Sequence, residues 1–150
     1  METSSRILIA RPLEDVYDAV AEARSPATWP PGTVSMELAG GEPGIVGAMY
    51  LRVAGHGPGA GRYRHALVEA EPDERLTFRS ESESFDDAAT YAYEFAAVDS
   101  ERTWLVLRAE TSTSGWRSLF AVVSGVIARR GVRRHLDRLR ESLEAERADG

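Results

Sequence analysis

One histidine and a set of tyrosines carry most of the chemistry available to this chain. Tyr63, His65 and Leu67 alternate with Arg62, Arg64 and Ala66, the period of a strand with one face turned inward. An imidazole beside phenols on an apolar face can serve as general acid or base near neutral pH. The same pattern also suits a structural histidine, or an outward one if the strand phase slips by one residue. Tyr91, Tyr93 and Phe95 alternate with Ala92 and Glu94 as an aromatic row. Such rings stack on a planar ligand while their phenols hydrogen-bond to it, and they equally fill a core. His65 and Tyr93 are the candidate catalytic residues. Glu69 would continue the His65 face as a buried acid, with Arg52 or Arg64 as its partner.

The composition narrows the chemistry further. The chain has 150 residues, and all 18 of its basic residues are arginines. Cysteine, lysine, asparagine and glutamine are absent. That excludes disulfides, thiolate metal sites, cysteine nucleophiles and Schiff bases. The three histidines, His56, His65 and His135, are too scattered for a metal motif, so no metal and no cofactor are expected. No serine sits in a nucleophile-elbow motif. A net charge of −6 speaks against nucleic acid as a partner. No apolar run approaches a membrane span, and the N-terminus lacks the apolar region of a signal peptide, so a cytoplasmic location is the default expectation.

The elements that must position these residues follow from the periods. Ile7–Ala10 reads as an opening strand. Pro12 then starts a helix of about 12 residues, with Glu14 and Asp15 in its first turn. A second, very short helix runs from Ser25 to Trp29 and stops at Pro30-Pro31-Gly32. Six alternating segments follow, each closed by a turn signal: Val34–Leu38, Met49–Val53, Tyr63–Leu67, Leu76–Phe78, Tyr91–Phe95 and Leu105–Ala109. The last 35 residues return to a helical period, with Gly125 and Gly131 as candidate sites of a kink or close approach. The arginines of this helix, interleaved with Asp137, Glu141, Glu144 and Glu146, read as a solvated, salt-bridged face.

The expected fold is α+β: a seven-stranded antiparallel sheet curled around one long C-terminal helix, with two short helices after strand 1, in one domain over 1–150. A curled sheet gripping a helix leaves a cavity suited to apolar ligands. Several stretches bear a family resemblance. They are "ILIARPLEDVYDAV", "SPATWPPG", "EAEPDERLTFR", "ERTWLVLRAE" and "RRHLDRLRESLEAE". Their order resembles the helix-grip fold of START-like lipid-transfer domains, birch-pollen-allergen-like proteins and the polyketide cyclase/dehydrase group, together the SRPBCC superfamily. The superfamily includes cyclases, hydrolases, carriers and sensors, so the motifs are specific for fold and not for activity.

The resemblance and the strand phases together imply a hydrophobic, aromatic or polyketide-like small molecule in the cavity, bound with or without cyclisation or dehydration. The alternative is a non-catalytic lipid or small-molecule carrier, or a ligand sensor. The sheet residues expected to line the cavity are Met49, Leu51, Tyr63, Leu67, Phe78, Tyr91, Phe95 and Leu107. Trp29 and Trp116 are expected near its mouth, and Val123 and Ile127 on the gripping helix. A homodimer is left open.

Overall fold

The computed structural model describes residues 2–55, 61–84, 87–112 and 121–149, with side chains over 2–55, 61–84, 87–111 and 130–146. The chain opens with β1 (Glu2–Ile9) and α1 (Leu13–Ala21), then a single 3-10 turn at Pro26–Thr28. Next come β2 (Thr33–Gly40), β3 (Met49–Ala54), β4 (Gly61–Glu71), β5 (Arg75–Ser82), β6 (Ala88–Ala97), β7 (Thr103–Ser112) and α2 (Ala121–Asp149). Two short helices were expected after the first strand. The structure has one helix of nine residues and one three-residue turn instead. Only Ala27 and Thr28 stand between Pro26 and Trp29, and Pro30-Pro31 cannot continue a helix.

The strands form one antiparallel sheet in the order β1-β7-β6-β5-β4-β3-β2. From β2 to β7 each strand pairs with its chain neighbour, as a meander must. The β2–β3 connection depends on Gly41, at φ +73°, where a Cβ would lie 2.9 Å from the Ala48 Cα. Only glycine fits there.

α2 covers the concave face with Val132, His135, Leu136, Leu139 and Leu143, all buried and spaced at helical period. It packs chiefly along β1 and touches the 3-10 turn. Polar contacts fasten its second half. Ala10 N donates to Glu144 Oε1 at 3.0 Å, and Arg11 Nη1 to the Leu143 carbonyl at 2.6 Å. The helix is unbroken at Gly131, whose open side faces Pro31 at ordinary van der Waals distance.

The core lies at the β1–β7 end: Ile7, Ile9, Leu105, Leu107 and Leu76 beneath Val16 and Val20 of α1 and Leu136 and Leu139 of α2. Each fully buried aliphatic chain there contributes about 1.5–3 kcal/mol. Among the described residues, no helix is long and apolar enough to cross a membrane.

Candidate functional site

Strand register sorts the concave face into rows that change character along the strands. One row is wholly apolar: Phe95, Leu105 and Ile7, with Phe95 edge-on to Tyr17 of α1 at 5.3 Å. The next joins Leu76, Tyr93 and Leu107. Then come Leu67, Phe78, Tyr91 and Ala109. The fourth row is Leu38, Tyr50, His65, Ser80 and Ala89, and the fifth pairs Met36, Arg52 and Tyr63. Polarity rises toward the end of the sheet near Pro31 and Thr33.

The polar end is built around His65, which is 1% exposed. Its ring stacks on Phe78 at 5.0 Å with planes 3° apart, and lies edge-on to Tyr91 at 6.1 Å. Ser80 Oγ sits 2.5 Å from His65 Nδ1 and accepts from Arg52 Nη1 at 3.4 Å. Arginine only donates. The serine can then donate its own proton to Nδ1, the arrangement in which the neutral imidazole carries its proton on Nε2. Burial, helped by the Arg52 charge, lowers the His65 pKa to about 3. The ring is neutral at physiological pH.

Arg52 is buried on β3. Its Nε donates to Thr33 Oγ1 at 2.6 Å and its Nη2 to the Pro31 carbonyl at 2.9 Å. The guanidinium lies over the rings of Tyr63 and Tyr91, 5.3 and 5.6 Å from their centroids. Tyr50 stands beside it, opposite His65, and its buried hydroxyl has no hydrogen-bond partner among the described residues. Burial, then the nearby Glu22, raises the Tyr50 pKa.

A second polar pair lies deeper. Tyr93 Oη and His135 Nε2 are 3.0 Å apart. Burial raises the tyrosine's pKa and lowers the His135 pKa to about 4. The phenol and a neutral imidazole share one hydrogen bond. Beside this pair a cleft of about 360 Å³ opens between the 3-10 turn and α2. Trp29, Pro31, Thr33, His135, Arg134 and Arg138 line it. Its walls thus include partners of both clusters: Pro31 and Thr33 hold Arg52, and His135 holds Tyr93. No group of histidines and carboxylates among the described residues is arranged to hold a metal ion.

The sequence expectations meet this geometry unevenly. His65, Leu67, Phe78, Tyr91, Tyr93, Phe95 and Leu107 are buried on the concave face, and Tyr63 is half-buried there. Tyr93 is engaged by His135 and Phe95 by Tyr17, which leaves His65, Phe78 and Tyr91 as the rings of the polar end. Met49 and Leu51 are corrected: they are 37% and 42% exposed on the convex face. Because His65 points inward and pairs with Tyr50, the inward residues of β3 are Tyr50 and Arg52. Glu69 is corrected as well. The register shifts between Leu67 and Glu69, which turns the carboxylate outward onto Arg75 at 2.6 Å.

The arginine face of α2 is salt-bridged only in part. Asp137 lies near Arg133 and Arg140, whereas Arg134 and Arg138 have no carboxylate partner among the described residues. Trp116 and His56 lie outside the described residues, as do the side chains of Val123 and Ile127. Sequence reasoning missed Tyr50, Ser80 and His135. Strand parity relative to His65 was the available signal for the first two.

Solved structures share this fold. The chain is similar to the TTHA0849 protein of Thermus thermophilus, at 20% identity and a TM-score of 0.79, covering 97% of this chain and 99% of that one. It is similar to the Zhui aromatase/cyclase of Streptomyces sp. R1128, at 14% identity and a TM-score of 0.72, covering 96% and 93% of the two chains. It is also similar to norcoclaurine synthase of Thalictrum flavum, at 10% identity and a TM-score of 0.68, covering 98% and 96%. At these identities the likeness is one of fold. No curated protein matches by sequence. The family model "Polyketide cyclase / dehydrase and lipid transport" matches residues 1–146, and the chain belongs to that family.

Proposed function

We propose that the protein binds a hydrophobic, aromatic or polyketide-like small molecule against the polar end of the concave face, entering by the cleft beside Trp29. The observation that carries this reading is the His65 cluster. A neutral imidazole, stacked on Phe78 and bridged by Ser80 to Arg52, sits between the rings of Tyr50 and Tyr91, with Tyr63 against Arg52. Apolar rings with a few fixed polar groups are what a pocket for a small planar molecule requires. With the Ser80 proton on Nδ1, His65 Nε2–H is a donor toward that molecule, and Tyr50 Oη a second polar contact.

The family and the aromatase/cyclase neighbour favour a second reading, in which the bound chain also cyclises. A histidine whose pKa is about 3 is too weak a base to shuttle protons near neutral pH. Cyclisation would therefore rest on orientation, with His65 as hydrogen-bond donor and Tyr93 outside the chemistry.

Native mass spectrometry after mild purification tests the binding reading. The expected result is a non-covalent organic adduct, lost in an Ala89→Phe variant that places a ring beside Ser80. Wild-type protein that carries no adduct and takes up no aromatic probe would overturn it.

A further inference from the structure

The geometry points to an anionic ligand: Arg52 is the receptor for a carboxylate on the aromatic molecule that the site takes. This deepens the binding reading above and rests on it. Arg52 is 4% exposed, yet no carboxylate lies within ion-pair distance of it among the described residues. Acids are not scarce, with 24 against 18 arginines. Arg11, Arg75, Arg79 and Arg102, all at or near the surface, each reach one. Arg52, more buried than these four, has no counter-charge among the described residues. Its partners are a hydroxyl pair, one carbonyl and two phenol rings, all neutral. Neutral contacts offset only part of the penalty for burying a charge.

The donor count leaves room for a ligand. A guanidinium has five N–H groups. Thr33, Ser80 and Pro31 take one each from Nε, Nη1 and Nη2. Two remain, one on each terminal nitrogen, enough in number for the two oxygens of a carboxylate. The approach has the same sign. Arg134 and Arg138 line the cleft whose wall includes Pro31 and Thr33, and no aspartate or glutamate lines it among the described residues. Arg52 itself borders a second cleft of about 240 Å³ with Arg62 and Tyr63, which also holds Glu37 and Glu83, so an anion's route is the Trp29 side. An anion is drawn toward such a mouth and a cation is turned away.

A purely structural Arg52, pinning Pro31 and Thr33 to the sheet, would be indifferent to ligand charge. Calorimetric titration with 6-hydroxy-2-naphthoate and with its methyl ester separates the two roles. Wild-type protein should bind the carboxylate about tenfold or more tightly than the ester, as a charge-assisted contact implies. Arg52→Met should abolish that preference while keeping the ester's affinity, and Arg52→Lys should restore part of it. Equal affinities in the wild type, or a preference that survives in Arg52→Met, overturn the anion proposal and leave the aromatic-ligand reading standing. Binding of neither probe overturns both. If Arg52→Met does not fold, wild-type melting decides. The carboxylate must raise Tm clearly more than the ester at equal concentration, and equal shifts overturn the proposal.

Discussion

Ser80 and His65 face each other across β4 and β5, with the serine oxygen 2.5 Å from the imidazole Nδ1. The same oxygen receives an N–H from Arg52. One small hydroxyl therefore joins a charged group to a neutral ring. The serine is fully buried, as are both of its partners or nearly so. No solvent stands ready to replace either of the two contacts.

Ser80→Ala should accordingly cost about 1–3 kcal/mol, because it strands a buried acceptor on His65. Urea denaturation measures it. Long-range proton–nitrogen NMR of the imidazoles should show His65 as the Nε2–H tautomer in the wild type. A dominant Nδ1–H form would refute the assigned direction of the bond.

Acid should loosen the fold through the two buried histidines. Their folded pKa values, about 3 for His65 and about 4 for His135, lie below the ordinary 6.5. In that window the unfolded chain binds protons that the folded chain refuses. The stabilisation is complete above pH 6.5 and is lost as pH falls toward 4, by up to about 1.4 kcal/mol per unit for each group. Melting temperatures from pH 7.5 to 4.5 should fall, and His65→Leu should flatten the slope. An unchanged slope in that variant would show that His65 takes up its proton in the folded chain as readily as in the unfolded one.

Two neighbouring tyrosines should separate by role. The Tyr93 hydroxyl is buried against His135, so Tyr93→Phe should cost about 1–3 kcal/mol. Tyr91 Oη makes no hydrogen bond among the described residues, and Tyr91→Phe should stay within about 0.5 kcal/mol of wild type. Thermal unfolding of the pair checks this. Equal losses would mean that Tyr91 has a structural partner too.

The two faces of the sheet offer a matched comparison. Leu67 is 1% exposed and opposite Phe78; Leu67→Ala should cost about 2–5 kcal/mol. Leu51 lies on the convex face, and Leu51→Ser should change stability by less than about 0.5 kcal/mol and leave naphthoate affinity unchanged. A loss of affinity in Leu51→Ser would place the ligand on the wrong side of the sheet.

Local pattern along the chain was enough to specify the fold, because the periods of two and of 3.6 are properties of short segments. The run from Val34 to Ala109 reads as six strands, and the stripe of Val132, Leu136, Leu139 and Leu143 as a covering helix. The period also put His65 on an inward row with Leu67. It could not set the phase of β3, where Met49, Leu51 and Val53 alternate with Tyr50 and Arg52. Apolar content argued for the first set. Pairing with β4 chose the second, since Tyr50 must face the same way as His65 opposite it. Nor does local sequence announce the register shift after Leu67 that turns Glu69 out to Arg75. Folding in three dimensions brought together Arg52, Ser80 and His65 from three strands, and Tyr93 and His135 from positions 42 residues apart. These are contacts between groups remote in the chain, whose energies depend on burial, and burial exists only once the sheet has closed around its helix.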